Sequence, residues 1–458
     1  MHLIPATYFL LASIYGGAWG IARLLVRNVG PVRAQLATHG ARRQVTLDGL
    51  RGVLALAVMC CHAMLTYEWI QHGTWGGPTM LIPEGLGETA VMLFFMITAF
   101  LFWDRMLDRG ATMDWRGFFV GRIFRLCPLY FLAVAGIVGL ALLHQRGHLV
   151  VPAGEFRRQV AAWLAFTVRG SPNINGLRET AVVVAGAIWS LPYEWLFYFS
   201  LPVLGFVLTR ARSSAAMIAG LVLMWGFFRL KAHHSVDRIA LLPFASGILA
   251  AYWTRIPVLA TAAKSKAFGL VALAALATAL VTCRTPYTVL PAVLATPFFL
   301  AAVCDSPLLR GVRGAEARWL GEVSYGIYLF HGMAIWIATR LILPRLTDVH
   351  ALGPTAHLVM DVAIAALLLP IVSVFHFAVE KPGIEVGQKL ARHFTRRRGA
   401  TAVAGGPLPA LPNPADPGQA SERSLRGGAA PADQCARAVP AISRRQSDSS
   451  SGSDGTSR

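Results

Sequence analysis

The chain has 458 residues, 55% of them hydrophobic and only 14% charged, and 42 Lys and Arg against 23 Asp and Glu leave a formal charge of +19. The apolar residues come in long runs rather than amphipathic stripes, which excludes an ordinary soluble domain and predicts an integral membrane protein. The arginines collect between those runs, a distribution that fits membrane orientation and anionic lipid headgroups and excludes nucleic-acid binding.

In chain order, the run from Leu3 to Leu25 reads as an extra transmembrane helix with its N-terminus outside. No basic stretch precedes it and no small-residue cleavage site follows, so it does not read as a signal peptide. Arg23, Arg27, Arg33, Arg42 and Arg43 then hold the following loop in the cytoplasm. Next comes Leu47-Asp48-Gly49-Leu50-Arg51-Gly52, which runs into an apolar helix closed by His62. At about 1.5 Å per residue, His62 lies roughly 16 Å beyond Arg51, near the middle of a bilayer core of about 30 Å. Arg51 is then either a flanking anchor or a phosphate ligand at the membrane surface. His62 is either a satisfied core histidine or a proton-transfer group.

The loop from Tyr67 to Glu88 carries Glu68, Glu84 and Glu88 without Lys or Arg and reads as external. The helix from Gly87 to Trp103 returns the chain to Asp104–Arg125, a cytoplasmic loop holding Arg105, Arg109, Arg116, Arg122 and Arg125. Arg122 and Arg125, at i and i+3, share a helix face and with Arg51 could form a phosphate clamp; the alternative is three ordinary anchoring arginines. From Gln145 to Ala187 the parity of crossings predicts an external segment with no net crossing, and with either an interfacial or a re-entrant helix. Ile188-Trp189-Ser190-Leu191-Pro192-Tyr193-Glu194 then places a carboxylate among aromatics just inside the external end of its helix. An aromatic belt accounts for Trp189 and Tyr193 but not for Glu194, which is costly there unless paired.

Further spans follow over Ile188–Leu208, Ala215–Phe228, Ile239–Trp253, Ala267–Cys283, Pro286–Val303, Val323–Leu343 and Asp361–Val379. The run from Ser324-Tyr325 to Tyr328 and His331 brings a second histidine to the depth of His62. Glu380, before Pro382, either pairs with the arginines or ends a solvated helix. The prediction is an all-α, polytopic membrane helix bundle of about ten core helices plus the N-terminal extra one. Its divisions are 1–44 (extra helix and basic loop), 45–395 (membrane domain) and 396–458 (a Gly-, Pro- and Ser-rich cytoplasmic tail expected to be disordered). Six scattered cysteines show neither metal spacing nor a disulfide framework, and no Walker, Rossmann or HExxH motif occurs.

Taken together, these clusters resemble the acyltransferase 3 family over about Val45 to Pro382. The resemblance is carried by Arg51 to His62 after Leu-Asp-Gly-Leu, by Arg122 and Arg125 before Pro128 and Tyr130, by Trp189-Ser190-Leu191 to Glu194, by Ser324 to His331, and by Glu380 with Pro382. It implies a multi-spanning enzyme of the bacterial inner membrane that moves an acetyl or other short acyl group from cytoplasmic acyl-CoA to a hydroxyl of a sugar-containing acceptor such as O-antigen or exopolysaccharide. No permanently bound cofactor or metal is implied; the partners are acyl-CoA, a carbohydrate or glycolipid acceptor and membrane lipids. It further implies that Arg51, Arg122 and Arg125 bind the CoA phosphates and that His62 is the general base, with Arg51, Glu194 and His331 in the catalytic set. Trp189, Tyr193, Glu194 and Tyr328 would receive the acceptor. His331 or Tyr328 orients the base or stabilises the oxyanion, and direct transfer and an acyl-histidine both stand open. Two features depart from the family: Pro192-Tyr193 replaces a frequent polar residue after Trp-Ser-Leu, and no esterase-like extracytoplasmic domain is expected. The alternative from another class is a secondary transporter with buried His and Glu as a proton relay, although no inverted repeat or paired broken helix is evident.

Overall fold

The computed structural model describes residues 3–38, 44–73, 81–210, 213–230, 241–283, 285 and 287–404. The tail expected to be disordered falls outside them from residue 405 onward, as do Arg42, Arg43 and Cys435. The elements are α1 (Leu3–Asn28), α2 (Gly30–Ala37), α3 (Val45–His72), α4 (Leu81–Arg109), α5 (Trp115–His144), α6 (Ala153–Leu164), α7 (Thr180–Val183), α8 (Leu191–Leu208) and α9 (Ser214–Leu230). They continue as α10 (Leu242–Trp253), α11 (Pro257–Ala263), α12 (Lys266–Thr282), α13 (Val289–Val303), α14 (Ala315–Glu322), α15 (Ser324–Trp336), α16 (Pro354–Phe375) and α17 (Lys381–Ala404). Short π segments, Ile337–Ile342 and His376–Glu380, extend α15 and α16. Among the described residues no strand forms, only an isolated bridge between Ile174 and Leu177.

The class is the expected all-helical membrane bundle. Six described helices are long and apolar enough to cross a membrane, or eight if each of two bent pairs is one span. That is fewer than the expected ten and one. The pairs α11 with α12, and α13 with Pro307–Arg313, bend by 76° and 71°, while α9 and α10 have only 17 and 12 residues against the roughly 20 that a bilayer core asks for. Residues 145–187 hold α6 and α7, of 12 and 4 residues, neither long enough to cross.

Two packing features set the position of α3. Its N-terminal end is latched by Thr46, whose hydroxyl donates to Asp305 Oδ1 at 2.5 Å and accepts from Arg313 Nε at 2.9 Å. α3 then crosses α14 at glycine distance: a Cβ on Gly52 would run into the Leu320 and Gly321 backbone, and one on Gly321 into the Asp48 carbonyl. Farther along, α3 packs on α4 and α15, and α1 is tied to it by the Tyr15 hydroxyl, which donates to Val53 O at 2.8 Å. The helix carrying Arg51 and His62 is thus held from several sides, and its two functional candidates are fixed in depth.

A methyl at Gly321 forces α14 from α3, whereas one at Gly20 on α1 meets nothing within 4 Å. Gly321→Ala should lower the thermal midpoint of the detergent-solubilised protein by several degrees, at a cost of about 1–3 kcal/mol. Gly20→Ala should leave it unchanged or raise it, and superimposable melting curves for the two variants would contradict the close crossing.

Candidate active site

α5 starts at Asp114, whose Oδ1 accepts from the Gly117 amide at 3.1 Å, and this cap sets the rotation that points Arg122 and Arg125 to one side. They meet Arg51 of α3 and Arg105 of α4 in one cavity of about 210 Å³. Its walls are largely apolar, with Phe94, Phe95, Leu101, Phe102 and Leu126, and its polar lining includes Thr98, Ser190, Glu194, Tyr198, Tyr325 and Tyr328. The Arg122 guanidinium lies over the Phe102 ring, 4.9 Å from its centroid, an arrangement that fixes its plane and offsets part of its lost hydration. Glu194 Oε1 accepts a short hydrogen bond from the Tyr198 hydroxyl, one helical turn on, and a second from Thr98 Oγ1 at 3.3 Å. Four arginines therefore face one carboxylate between apolar walls, and a narrow low-dielectric cleft of net positive charge concentrates anions.

Glu194 was expected near the external end of its helix, on an acceptor surface. It lies instead in the arginine cavity, because α8 begins deep in the bundle. The preceding turn, Ala187–Ser190, is already held there by the Tyr328 hydroxyl, which donates to Ala187 O at 2.6 Å and lies 2.7 Å from Ser190 Oγ. The expected acceptor group accordingly divides. Glu194 and Tyr328 line the cavity; Trp189 and Tyr193 do not. Trp189 is 39% exposed and meets Tyr193 and Tyr287 edge-on, with ring centroids 5.8 and 5.4 Å apart.

The two histidines come together. His62 Nδ1 lies 2.9 Å from His331 Nε2, and the rings stack with centroids 5.0 Å apart. His331 is fully buried, and its Nδ1 lies 3.0 Å from the Ile327 carbonyl. A carbonyl can only accept, so His331 Nδ1 carries a proton; the cost of a buried cation keeps this imidazole neutral, so its Nε2 is an acceptor. The proton shared with His62 therefore sits on His62 Nδ1, and His62 carries its lone pair on Nε2. Neither histidine lines the arginine cavity. Tyr328, which lines the cavity, has its ring centroid 6.2 Å from that of His331 and so links the two sites.

Glu380 is 1% exposed, so it does not end a solvated helix; its Oε2 lies 2.8 Å from His376 Nδ1, and its charge also acts on Arg51. Sequence reasoning missed Thr98, Ser190, Tyr198 and Tyr325. Tyr198 was legible as the i+4 neighbour of Glu194, and Ser190 lies within the motif that singled out Trp189. Tyr325, whose hydroxyl donates to Leu126 O at 3.1 Å, likewise lies within the run that singled out Tyr328 and His331, whereas Thr98 becomes visible only through helix packing.

Comparison with known proteins identifies the family of the chain. The sequence model of the acyltransferase domain, acyltransferase 3, matches residues 44–377, nearly three quarters of the chain. Among curated proteins the chain is similar to nodulation protein 10 of Rhizobium leguminosarum bv. viciae, 25% identical over 48% of this chain and 62% of that protein. It is similar also to the exopolysaccharide production protein ExoZ of Rhizobium meliloti, 27% identical over 56% of this chain and 78% of that one. A third is the putative peptidoglycan O-acetyltransferase YrhL of Bacillus subtilis, 24% identical over 77% of this chain and 56% of that protein. The matched part thus spans under two thirds of the first and third of these relatives. No solved structure shows a significant match.

The Tyr198 hydroxyl has a partner worth removing only while Glu194 is present. Tyr198→Phe should lower the melting temperature by the equivalent of about 1.5–3 kcal/mol, the range for hydrogen bonds to charged groups. In a Glu194→Leu background the same change should cost almost nothing, and additive shifts would contradict the bond.

Proposed function

The chain belongs to the acyltransferase 3 family and is a membrane acyltransferase, and on that premise we propose that it transfers an acetyl or other short acyl group from cytoplasmic acyl-CoA to a hydroxyl of a surface polysaccharide or glycolipid. The observation that carries this reading is the adjacency of an arginine-lined, apolar-walled cavity and a stacked, proton-ordered histidine pair, linked by one tyrosine. Arginines suit the phosphates of the donor, and apolar walls suit its narrow pantetheine arm with its geminal methyl groups. The names of the exopolysaccharide and peptidoglycan relatives support a saccharide acceptor. Arg105, Arg109, Arg116, Arg122, Arg125, Arg310, Arg313 and Arg318 favour a cytoplasmic location, in the inner membrane, for the end of the bundle that opens onto the cavity.

In the proposed reaction, Arg51, Arg122 and Arg125 hold the donor by its phosphates while the thioester reaches past Tyr328. Neutral His62 Nε2 removes the proton of the acceptor hydroxyl as its oxygen attacks the thioester carbonyl. The C–S bond breaks, the new C–O ester bond forms, and the leaving thiolate takes the proton from His62. His331 is a positioning residue: it holds His62 in the tautomer that leaves Nε2 basic, and its Nε2 shares the charge when His62 becomes imidazolium. Glu194, held by Tyr198 and Thr98, keeps the arginines in place, and Trp189 with Tyr193 offers an aromatic surface to the acceptor.

His62→Ala should reduce thioester consumption by purified protein at least about 10²-fold, the lower end of general-base effects. His331→Ala should lower kcat by about tenfold or more with the donor KM retained, and His331→Gln, which restores an acceptor, should recover part of the loss. Mass spectrometry of glycans from deletion cells should show a lost acyl increment. Wild-type rates in the His62→Ala protein, or acceptor movement without thioester consumption, would overturn the proposal.

A further inference from the structure

The arginine cavity has a second hollow beside it, with one lining residue in common. That residue is Arg105, and the second hollow, of about 390 Å³, is formed where the end of α4, the start of α5 and α17 meet. Arg109 and Arg392 line this hollow with Arg105, Met113 and Phe118 give it an apolar floor, and Asp114 adds a single carboxylate, one oxygen of which caps the Gly117 amide. α17 is seated firmly enough to hold Arg392 there, because Gly383 and Gly387 let it lie against Phe124 so closely that a Cβ at either position would strike that residue.

The charges on the last turns of α4 are sorted by face. Asp104 and Asp108, one turn apart, both turn to Arg255, at 2.6 and 2.5 Å. Arg105 and Arg109, also one turn apart, turn to the hollow. Two acidic residues that would have neutralised the hollow are thus occupied elsewhere, and three arginines are left around an apolar floor. The inner cavity, at about 210 Å³ smaller than the outer hollow and walled with phenylalanines, suits the slender pantetheine arm better than a nucleotide.

We propose that the outer hollow is the subsite for the nucleotide head of the donor, with the ribose 3′-phosphate between Arg109 and Arg392, the diphosphate at Arg105, common to the two cavities, and the adenine on Phe118 and Met113. This rests on acyl-CoA being the donor. It makes the protein selective for the 3′-phosphorylated nucleotide over a bare pantetheine thioester, and it divides the arginines into an outer set that reads the head and an inner set that reads the diphosphate and arm.

The test uses the full-length protein in nanodiscs of neutral lipid and in nanodiscs containing anionic lipid, with three donors: acetyl-CoA, acetyl-dephospho-CoA lacking the 3′-phosphate, and acetyl-pantetheine. In the wild type, removal of the 3′-phosphate should raise KM about 10- to 100-fold, as the loss of charge-assisted hydrogen bonds does. In an Arg109→Gln, Arg392→Gln protein, acetyl-CoA should acquire the KM of acetyl-dephospho-CoA, while the KM for acetyl-pantetheine stays that of the wild type. Both side chains are exposed, so an unchanged melting curve checks that the fold is intact. Equal discrimination between the two nucleotides in variant and wild type would overturn the subsite. A variant defect confined to anionic nanodiscs would overturn it in favour of a lipid headgroup site. Failure of the wild type to use any of the three donors would instead overturn acyl-CoA as donor and take the subsite with it.

Discussion

The placement of one proton, on the His62 side of the bond between His62 Nδ1 and His331 Nε2, governs the chemistry available at the centre of this bundle. It is decided by the main chain: the Ile327 carbonyl on α15 accepts from His331 Nδ1, and the Val58 backbone bonds to the His62 ring one turn back on α3. A backbone carbonyl cannot change its polarity or its protonation, so it is a firmer reference than another side chain would be. Full burial of His331 adds to this, since a second proton there would be a cation without water. The same arrangement in solvent would be one tautomer among several.

The arginine cavity obeys the opposite constraint. Its cations cannot become neutral, so the fold must make them tolerable. It does so by placing them toward one end of the bundle, by laying Arg122 over Phe102, and by fixing Glu194 among them with two hydroxyl donors. Glu194 is the one carboxylate in the cavity lining, while Asp48, Glu322 and Glu380 act on Arg51 from outside it. The cavity surface itself is therefore lined by more cations than anions, which favours an anionic ligand there. The cost is carried by the surrounding helices, among them α3, whose depth is set by the glycine crossing with α14 and by the Thr46 latch.

How much of this could be read from the sequence depends on which force sets each feature. Long apolar runs and the clustering of arginines made the class of fold and the grouping of Arg51, Arg122 and Arg125 legible, because hydropathy and charge act locally. The equal depth of His62 and His331 followed from helical rise, and the rings do meet. What could not be read was set by packing between distant segments. Glu194 was placed by counting from a presumed membrane surface, but α8 starts inside the bundle, held by a hydroxyl from α15 that no spacing reveals. The count of about ten spans is not confirmed among the described residues, because bent pairs and short helices look, in composition, like whole crossings. Glu380 was read against the arginines, and its charge does act on Arg51, but its hydrogen-bond partner His376 lies one turn back on its own helix, in a π segment that periodicity does not announce.

The position of Tyr328 has a bearing on energy conservation in the cell. A route that lets a donor in from one face and an acceptor in from the other is, if continuous, a leak for protons and small ions. With its hydroxyl tied to Ala187 O and beside Ser190 Oγ, Tyr328 is anchored in the wall of the arginine cavity, next to His331 on the same helix. On the proposed reaction, a side chain anchored there that yields only to a bound substrate would keep such a leak shut, and the electrochemical gradient would survive the traffic.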